Sequence, residues 1–117
     1  AAVRVLEDDP AFDCGRGSVL NAAGDVEMDA MIMDGRGLSA GSVAAVPSVR
    51  HPVTLARQVM ERTDHVLLVG GGARAFADEM GHPVTPTTEL VTPEARAEWE
   101  AYRQTSYKHP VATLFNK

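Results

Sequence analysis

The sequence is short of several things at once, and each shortage removes a class of protein. It has one cysteine, Cys14, in 117 residues. No internal disulfide and no zinc-finger site can form, and a reducing cytoplasmic compartment is expected. No apolar run approaches the ~18–20 residues that crossing a bilayer needs, so no membrane span is expected. Basic residues are outnumbered, 11 Lys and Arg against 16 Asp and Glu, and form no cluster. Binding of nucleic acid through its phosphates is therefore not expected. Neither a basic start nor a long apolar stretch marks a signal peptide. The first residue is Ala1, and the chain opens inside a helical pattern with no capping residue before it. Upstream sequence is expected, and the chain reads as a piece of something larger.

What is present is a globular composition, 44% hydrophobic, at a length that allows one domain at most. The pattern predicts a helix from Ala1 to about Asp8, stopped by Pro10, then a glycine-containing loop from Asp9 to Gly17. Ser18 to Glu27 reads as a hairpin turning at Gly24 between Asn21 and Asp25. Val26 to Asp34 alternates as a strand. Val26, Met28, Ala30 and Ile32 share one face, and Glu27, Asp29, Met31 and Met33 the other. The apolar end of that second face implies cover on both sides there. Gly35 and Gly37 mark a turn, and Ser39 to Val49 reads as a second strand whose small residues admit a close layer.

Pro52 suits the first turn of a helix, continued to Arg62 by Leu55, Ala56, Val59 and Met60. Val66 to Val69 reads as a short central strand. Ala73, Phe76, Ala77 and Met80 form the stripe of a helix ended by Gly81. Beyond Gly81 the texture turns to proline and threonine, which divides the chain into residues 1–82 and a segment 83–117. That segment is expected to hold a short helix from Pro93 to about Arg103, capped by Thr92, and a mobile tail over the last dozen residues.

Three local patterns carry possible chemistry. Val69-Gly-Gly-Gly-Ala-Arg-Ala75 places Gly70, Gly72 and Ala75 at the G-x-G-x-x-A spacing of nucleotide sites, with Glu89 nineteen residues after Gly70. The acid should end a second parallel strand, and Val84-Thr-Pro-Thr-Thr-Glu is a poor strand. A tight strand-to-helix turn is the simpler reading, with nucleotide binding the weaker one. Glu27 and Asp29 point the same way, about 7 Å apart. With Asp34 they suit cooperating acids or a divalent cation, or only a soluble edge strand and a hydrogen-bonded turn. His51, His65, His82 and His109 fall at no metal-ligand spacing. Cys14 lacks an evident base and reads as a small buried residue. These patterns define a fold class and no activity.

A longer string is more specific. Leu6-Glu-Asp-Asp-Pro-Ala-Phe-Asp-Cys-Gly-Arg-Gly-Ser-Val-Leu-Asn21, followed by Val26-Glu-Met-Asp-Ala-Met-Ile-Met-Asp-Gly35, resembles the N-terminal half of the plant-type asparaginases. These are the isoaspartyl peptidase/L-asparaginase members of the N-terminal-nucleophile hydrolases. Leu38-Ser-Ala-Gly-Ser-Val-Ala-Ala-Val46, His51-Pro52, Leu55-Ala-Arg57, Val59-Met-Glu61 and Thr63-Asp-His-Val66 continue the resemblance in order, over about residues 1–81. The segment from Pro83 looks like the variable stretch that precedes the family's cleavage point.

The resemblance implies an α+β fold, part of an αββα sandwich that is incomplete in this chain. It implies a precursor that cuts itself before a threonine, which then acts as nucleophile with its own α-amino group as base. Substrates would be L-asparagine and β-aspartyl dipeptides. The cut yields an α and a β chain that stay together, as an αβ heterodimer pairing into (αβ)2. The cleavage motif, Gly-Thr-Val-Gly or similar, does not occur here: no threonine of this chain follows a glycine. The chain alone is expected to be inactive, serving either as the α portion of a working hydrolase or as a truncated, non-catalytic interaction module.

Some residues carry over. The loop after the first helix binds a monovalent cation in the family, usually sodium, through main-chain carbonyls that fall at Leu6, Glu7, Asp9, Phe12, Cys14 and Arg16. Gly15 and Gly17 would supply the backbone angles. Asp13 stands where the family usually has Asn, close to the nucleophile, and so is a possible support to catalysis. Asp adds a negative charge and loses two N–H donors, and beside the threonine's ammonium it would raise the amine's pKa and weaken it as a base.

Overall fold

The computed structural model describes residues 1–105. The expected mobile tail, His109 included, lies outside the described residues. The alternation of residues 26–34 produces β1 (Glu27–Asp34), which pairs antiparallel with β2 (Ser39–Pro47). The connection is closed by the Asp34 carboxylate, whose Oδ1 accepts the Arg36 N–H at 2.9 Å, and by Leu38 in the left-handed region at φ 53°. Register slips once, where Ala44 and Ala45 oppose Asp29 alone. The bulged Ala45 sits at φ 49°, and its N–H is taken up by Asp29 Oδ1 at 2.7 Å. Such an extra residue leaves a ladder N–H unpaired, and the carboxylate supplies its partner.

The second strand ends earlier than expected. Pro47 has no N–H to continue a ladder, and Ser48 turns the chain at φ 57°. The chain then crosses the sheet as α2 (Pro52–Arg62), returns as β3 (Leu67–Val69) parallel to β2, and enters α3 (Gly70–Glu79). Strand order is β1-β2-β3. Both helices pack on one face of the sheet. Their buried Leu55, Ala56, Val59, Ala73, Phe76 and Ala77 meet Val26, Met28, Val43 and Val46. The closest approach is at Gly41, where a Cβ would collide with the Ala56 carbonyl and the Met60 backbone nitrogen of α2. Only glycine lets the helix lie there. Gly81 ends the region at φ 78°, as its position after the apolar stripe predicts.

The opposite sheet face differs from expectation. Met31 is 64% exposed, Met33 58%, Leu67 51% and Val69 53%. Among the described residues one face of β1 is covered, not two. β3 lies at the edge and not at the centre, because β2 is its only partner there. The hairpin expected over 18–27 does not form. Asn21 Oδ1 accepts the N–H groups of Ala23 and Asp25 at 2.9 and 3.0 Å. A side chain that satisfies local N–H groups competes with a strand ladder, and here it wins.

Residues 82–105 run back over the molecule. Arg74 on α3 donates from Nη1 to the Ser48 carbonyl at 2.7 Å and from Nη2 to the His82 carbonyl at 2.9 Å. The Thr85 N–H donates to the same Ser48 carbonyl at 3.0 Å. Then come α4 (Thr87–Leu90) and α5 (Pro93–Thr105). Thr92 caps α5 as expected, its Oγ1 accepting the Ala95 N–H at 3.1 Å.

Candidate functional site

The first helix, α1 (Ala2–Asp8), delivers the chain into the 9–17 loop. The loop is short and tightly turned because glycine permits it. Gly15 and Gly17 lie at φ 66° and 94°. Arg16 N–H donates to the Glu7 carbonyl at 2.9 Å, and Gly17 N–H to the Leu90 carbonyl at 2.9 Å. The loop is thereby fastened to α1 at one point and to the end of α4 at another.

Glu7 is the hub, with 1% of its surface exposed. Its Oε1 accepts the Val53 N–H at 2.8 Å, and Oε2 lies 3.0 Å from His51 Nδ1. A carboxylate has only acceptors, so His51 supplies the proton on Nδ1. Val53 is in the first turn of α2, where the free N–H groups favour an anion. Asp8 beside it binds Arg50 Nε at 2.9 Å, which holds its carboxyl below the usual range.

Above the loop opens a cleft of about 380 Å³, lined by Glu7, Asp13, Cys14, Glu27, Asp29 and Met31 among others. The structure thus brings Asp13 and Cys14 together with two of the three β1 acids. Asp34 stays at the far turn. Asp13 Oδ1 accepts the Val19 N–H at 2.9 Å, a bond that Asn could make equally well with its own oxygen. The Cys14 thiol is raised above its ordinary pKa, first by burial and then by the negative charges of Glu7 and Asp13. At neutral pH it stays protonated and is a poor nucleophile. Among the described residues no three His, Cys, Asp or Glu side chains form a metal-binding group.

The cation loop that the resemblance implies would rest on carbonyls instead. Those of Leu6, Glu7 and Asp9 each accept one backbone N–H, from Asp9, Arg16 and Phe12. A carbonyl oxygen keeps a second lone pair, so each can still ligate. Among the described residues the carbonyls of Phe12, Cys14 and Arg16 accept no backbone N–H. Oxygen donors are the chemistry that a hard cation takes.

The histidines are less scattered than their numbering suggests. His51 and His82 line one further cleft with Arg4, Arg50 and Glu89, about 470 Å³ in volume, while His65 stays on the surface in a turn with Thr63. His82 Nε2 lies 2.6 Å from Gln58 Oε1. Burial, then the charges of Arg74, His51 and Arg4, lower its pKa below 6.5. The unfolded chain therefore protonates first as pH falls, and the stability His82 contributes is lost as pH drops through about 6.5 toward the folded value. His82→Gln should consequently show a smaller fall in Tm than wild type between about pH 7.5 and about pH 5. Equal falls would remove His82 from that account.

The G-x-G-x-x-A pattern lacks the close approach that gives such glycines meaning. A Cβ at Gly70, Gly71 or Gly72 would meet nothing within 4 Å. Glu89 is in α4 and ends no strand. Sequence reasoning missed Glu7 as a side chain, because no spacing rule links residue 7 to residue 51. It also missed the tie from Leu90 to the loop and those from α5 to the 21–25 turn, for which the sequence holds no local signal.

Fold and cleft together describe an α+β chain with an acid-lined depression built on a glycine-pinned loop. The chain belongs to the asparaginase family: residues 1–116 match the family model described as asparaginase. The isoaspartyl peptidase/L-asparaginase of Rattus norvegicus is 56% identical over 99 residues, covering 85% of this chain and 30% of the relative. That of Homo sapiens is 57% identical over 91 residues, covering 78% and 30%. The plant-type L-asparaginase of Pyrococcus furiosus is 55% identical over 104 residues, covering 88% and 33%. The chain spans about a third of the length of these curated relatives. No helix among the described residues is long and apolar enough to cross a membrane.

Proposed function

We propose that this chain supplies the N-terminal, α-side part of a hydrolase that cleaves L-asparagine and β-aspartyl peptides. The observation that carries the reading is the 55–57% identity to proteins of that name over most of the chain. The nucleophile would be the N-terminal threonine of a β chain freed by self-cleavage. Its α-amino group would take the hydroxyl proton as the oxygen attacks the amide carbonyl. Asp13, fixed by the Val19 N–H, would stand near that amine, where its charge would favour the protonated ammonium. Sodium, held by the main-chain carbonyls of Leu6, Glu7, Asp9, Phe12, Cys14 and Arg16, would stiffen the loop that carries Asp13.

The β chain is the expected partner, in an αβ heterodimer that pairs into (αβ)2. The exposed Met31, Met33, Leu67 and Val69 support this, because apolar sheet faces of this kind are normally covered by a second layer. A second sheet of an αββα sandwich would supply it. The lone Cys14 suits a reducing, cytoplasmic setting.

The test is complementation. The chain is assayed alone, and again co-expressed with the C-terminal two thirds of the Pyrococcus furiosus relative, against L-asparagine and a β-aspartyl dipeptide. We expect no turnover from the chain alone and release of aspartate by the complex. A complex that forms and leaves both substrates intact would argue for a non-catalytic interaction module.

A further inference from the structure

We propose that Trp99 is a positioning residue for the cleft, acting from α5 through the 21–25 turn on Asp13 and Glu27. The inference rests on the reading of the cleft as a hydrolase site. Trp99 is the only tryptophan of the chain, and its indole Nε1–H donates to the Asn21 carbonyl at 2.8 Å. Two guanidinium groups, of Arg96 and Arg103, lie 5.1 and 4.7 Å from the ring centroid, where the ring quadrupole attracts them. Arg96 also reaches across, its Nη2 donating to the Gly24 carbonyl at 3.2 Å. The fit is close: a Cβ on Gly24 would lie 2.8 Å from Arg96 Nη1 and 3.0 Å from Trp99 Cζ2.

The turn that Trp99 grips is itself stiff. Asn21 N–H donates to the Asp25 carbonyl and Gly24 N–H to the Asn21 carbonyl, both at 2.9 Å. It therefore moves as a unit, and both of its ends lead into the cleft. Two residues before it, Val19 N–H holds Asp13 Oδ1. Two residues after it, Glu27 stands on the cleft wall, with buried Val26 between. Placing the turn places two cleft carboxylates relative to each other. Among the described residues no side chain of α5 is fully buried, and these contacts and the Thr92 cap help to hold the helix.

The experiment is amide hydrogen exchange on the 117-residue chain, comparing wild type, Trp99→Phe and Glu100→Ala. Phe keeps an aromatic ring and loses the N–H donor. The change at Glu100, exposed on α5, alters the helix away from Val19 and the turn. We expect Val19 N–H exchange to rise about five- to tenfold in Trp99→Phe, as the loss of one hydrogen bond implies. Amides of β2 should be unchanged, and Glu100→Ala should leave Val19 as in wild type. If Trp99→Phe changes α5 and turn amides only, with Val19 untouched, the proposal is overturned. The readout needs no catalysis, so absent hydrolysis in the complemented complex would count against the site reading and not against the positioning role.

Discussion

Glu7→Ala is expected to lower the unfolding free energy of the chain by about 3–5 kcal/mol, from two buried donors left unpaired and the cavity opened beside them. The size follows from what is left behind. The carboxylate is buried to 1% exposure and accepts two hydrogen bonds, from Val53 N–H and His51 Nδ1. Truncation strands both donors, each of which costs about 1–3 kcal/mol when buried and unpaired. It also leaves a cavity between α1 and the start of α2. Glu7→Gln should cost much less. Its amide oxygen still accepts from Val53, and the His51 ring can exchange donor for acceptor at Nδ1 to meet the amide N–H. Urea unfolding of the three chains by far-UV circular dichroism measures this. Coincident midpoints for wild type and Glu7→Ala would show that the Glu7 bonds contribute nothing net.

Elements governed by short-range pattern were legible. Val26, Met28, Ala30 and Ile32 do face the helices, because a strand's period of two leaves no other face for them. Gly81 does end α3, because a left-handed residue after the last apolar position is a local requirement. Elements that depended on competition were not. The 18–27 stretch had the composition of a hairpin, yet Asn21 satisfies the N–H groups locally and Trp99 takes the Asn21 carbonyl from 78 residues away. Val66–Val69 looked central because it is wholly apolar. A run of that composition states what a strand tolerates on its faces, not how many neighbours it has.

The site was legible only as a string and not as geometry. The glycines at 15 and 17 and the residue at 13 stood out by resemblance, and the left-handed angles agree with the reason given for the glycines. The cleft itself gathers residues 7, 13, 14, 27 and 29 from two elements and a loop, and no spacing rule spans that set. Asp29 shows the ambiguity well. One of its oxygens closes the bulge at Ala45, so a carboxylate that lines the cleft also has a purely structural task. Likewise Gly17 is tied to Leu90, which makes the proline-rich segment part of the loop's support.

Gly15→Ala is expected to disturb the candidate site strongly. Residue 15 sits at φ 66°, where an L side chain costs about 1–2 kcal/mol from its own backbone. The new Cβ would also run into the Glu7 carbonyl, with the Glu7 Cα and Cβ both at 2.9 Å. None of these atoms is the free end of a flexible chain. Relief requires α1 and the loop to part, and overpacking of this kind costs a further ~1–3 kcal/mol. We therefore expect a total loss of about 2–5 kcal/mol. The Arg16 N–H bond to Glu7 should be lost with it, because both meet at the same carbonyl. Gly35→Ala is the matched control, since a Cβ there meets nothing within 4 Å, and its midpoint should stay within about 0.5 kcal/mol of wild type. In the complemented complex, Gly15→Ala should abolish aspartate release by displacing Asp13, whereas Gly35→Ala should leave it intact. Equal stability and equal turnover for the two variants would mean that the loop yields freely and that its left-handed glycine is not what holds Asp13 in the cleft.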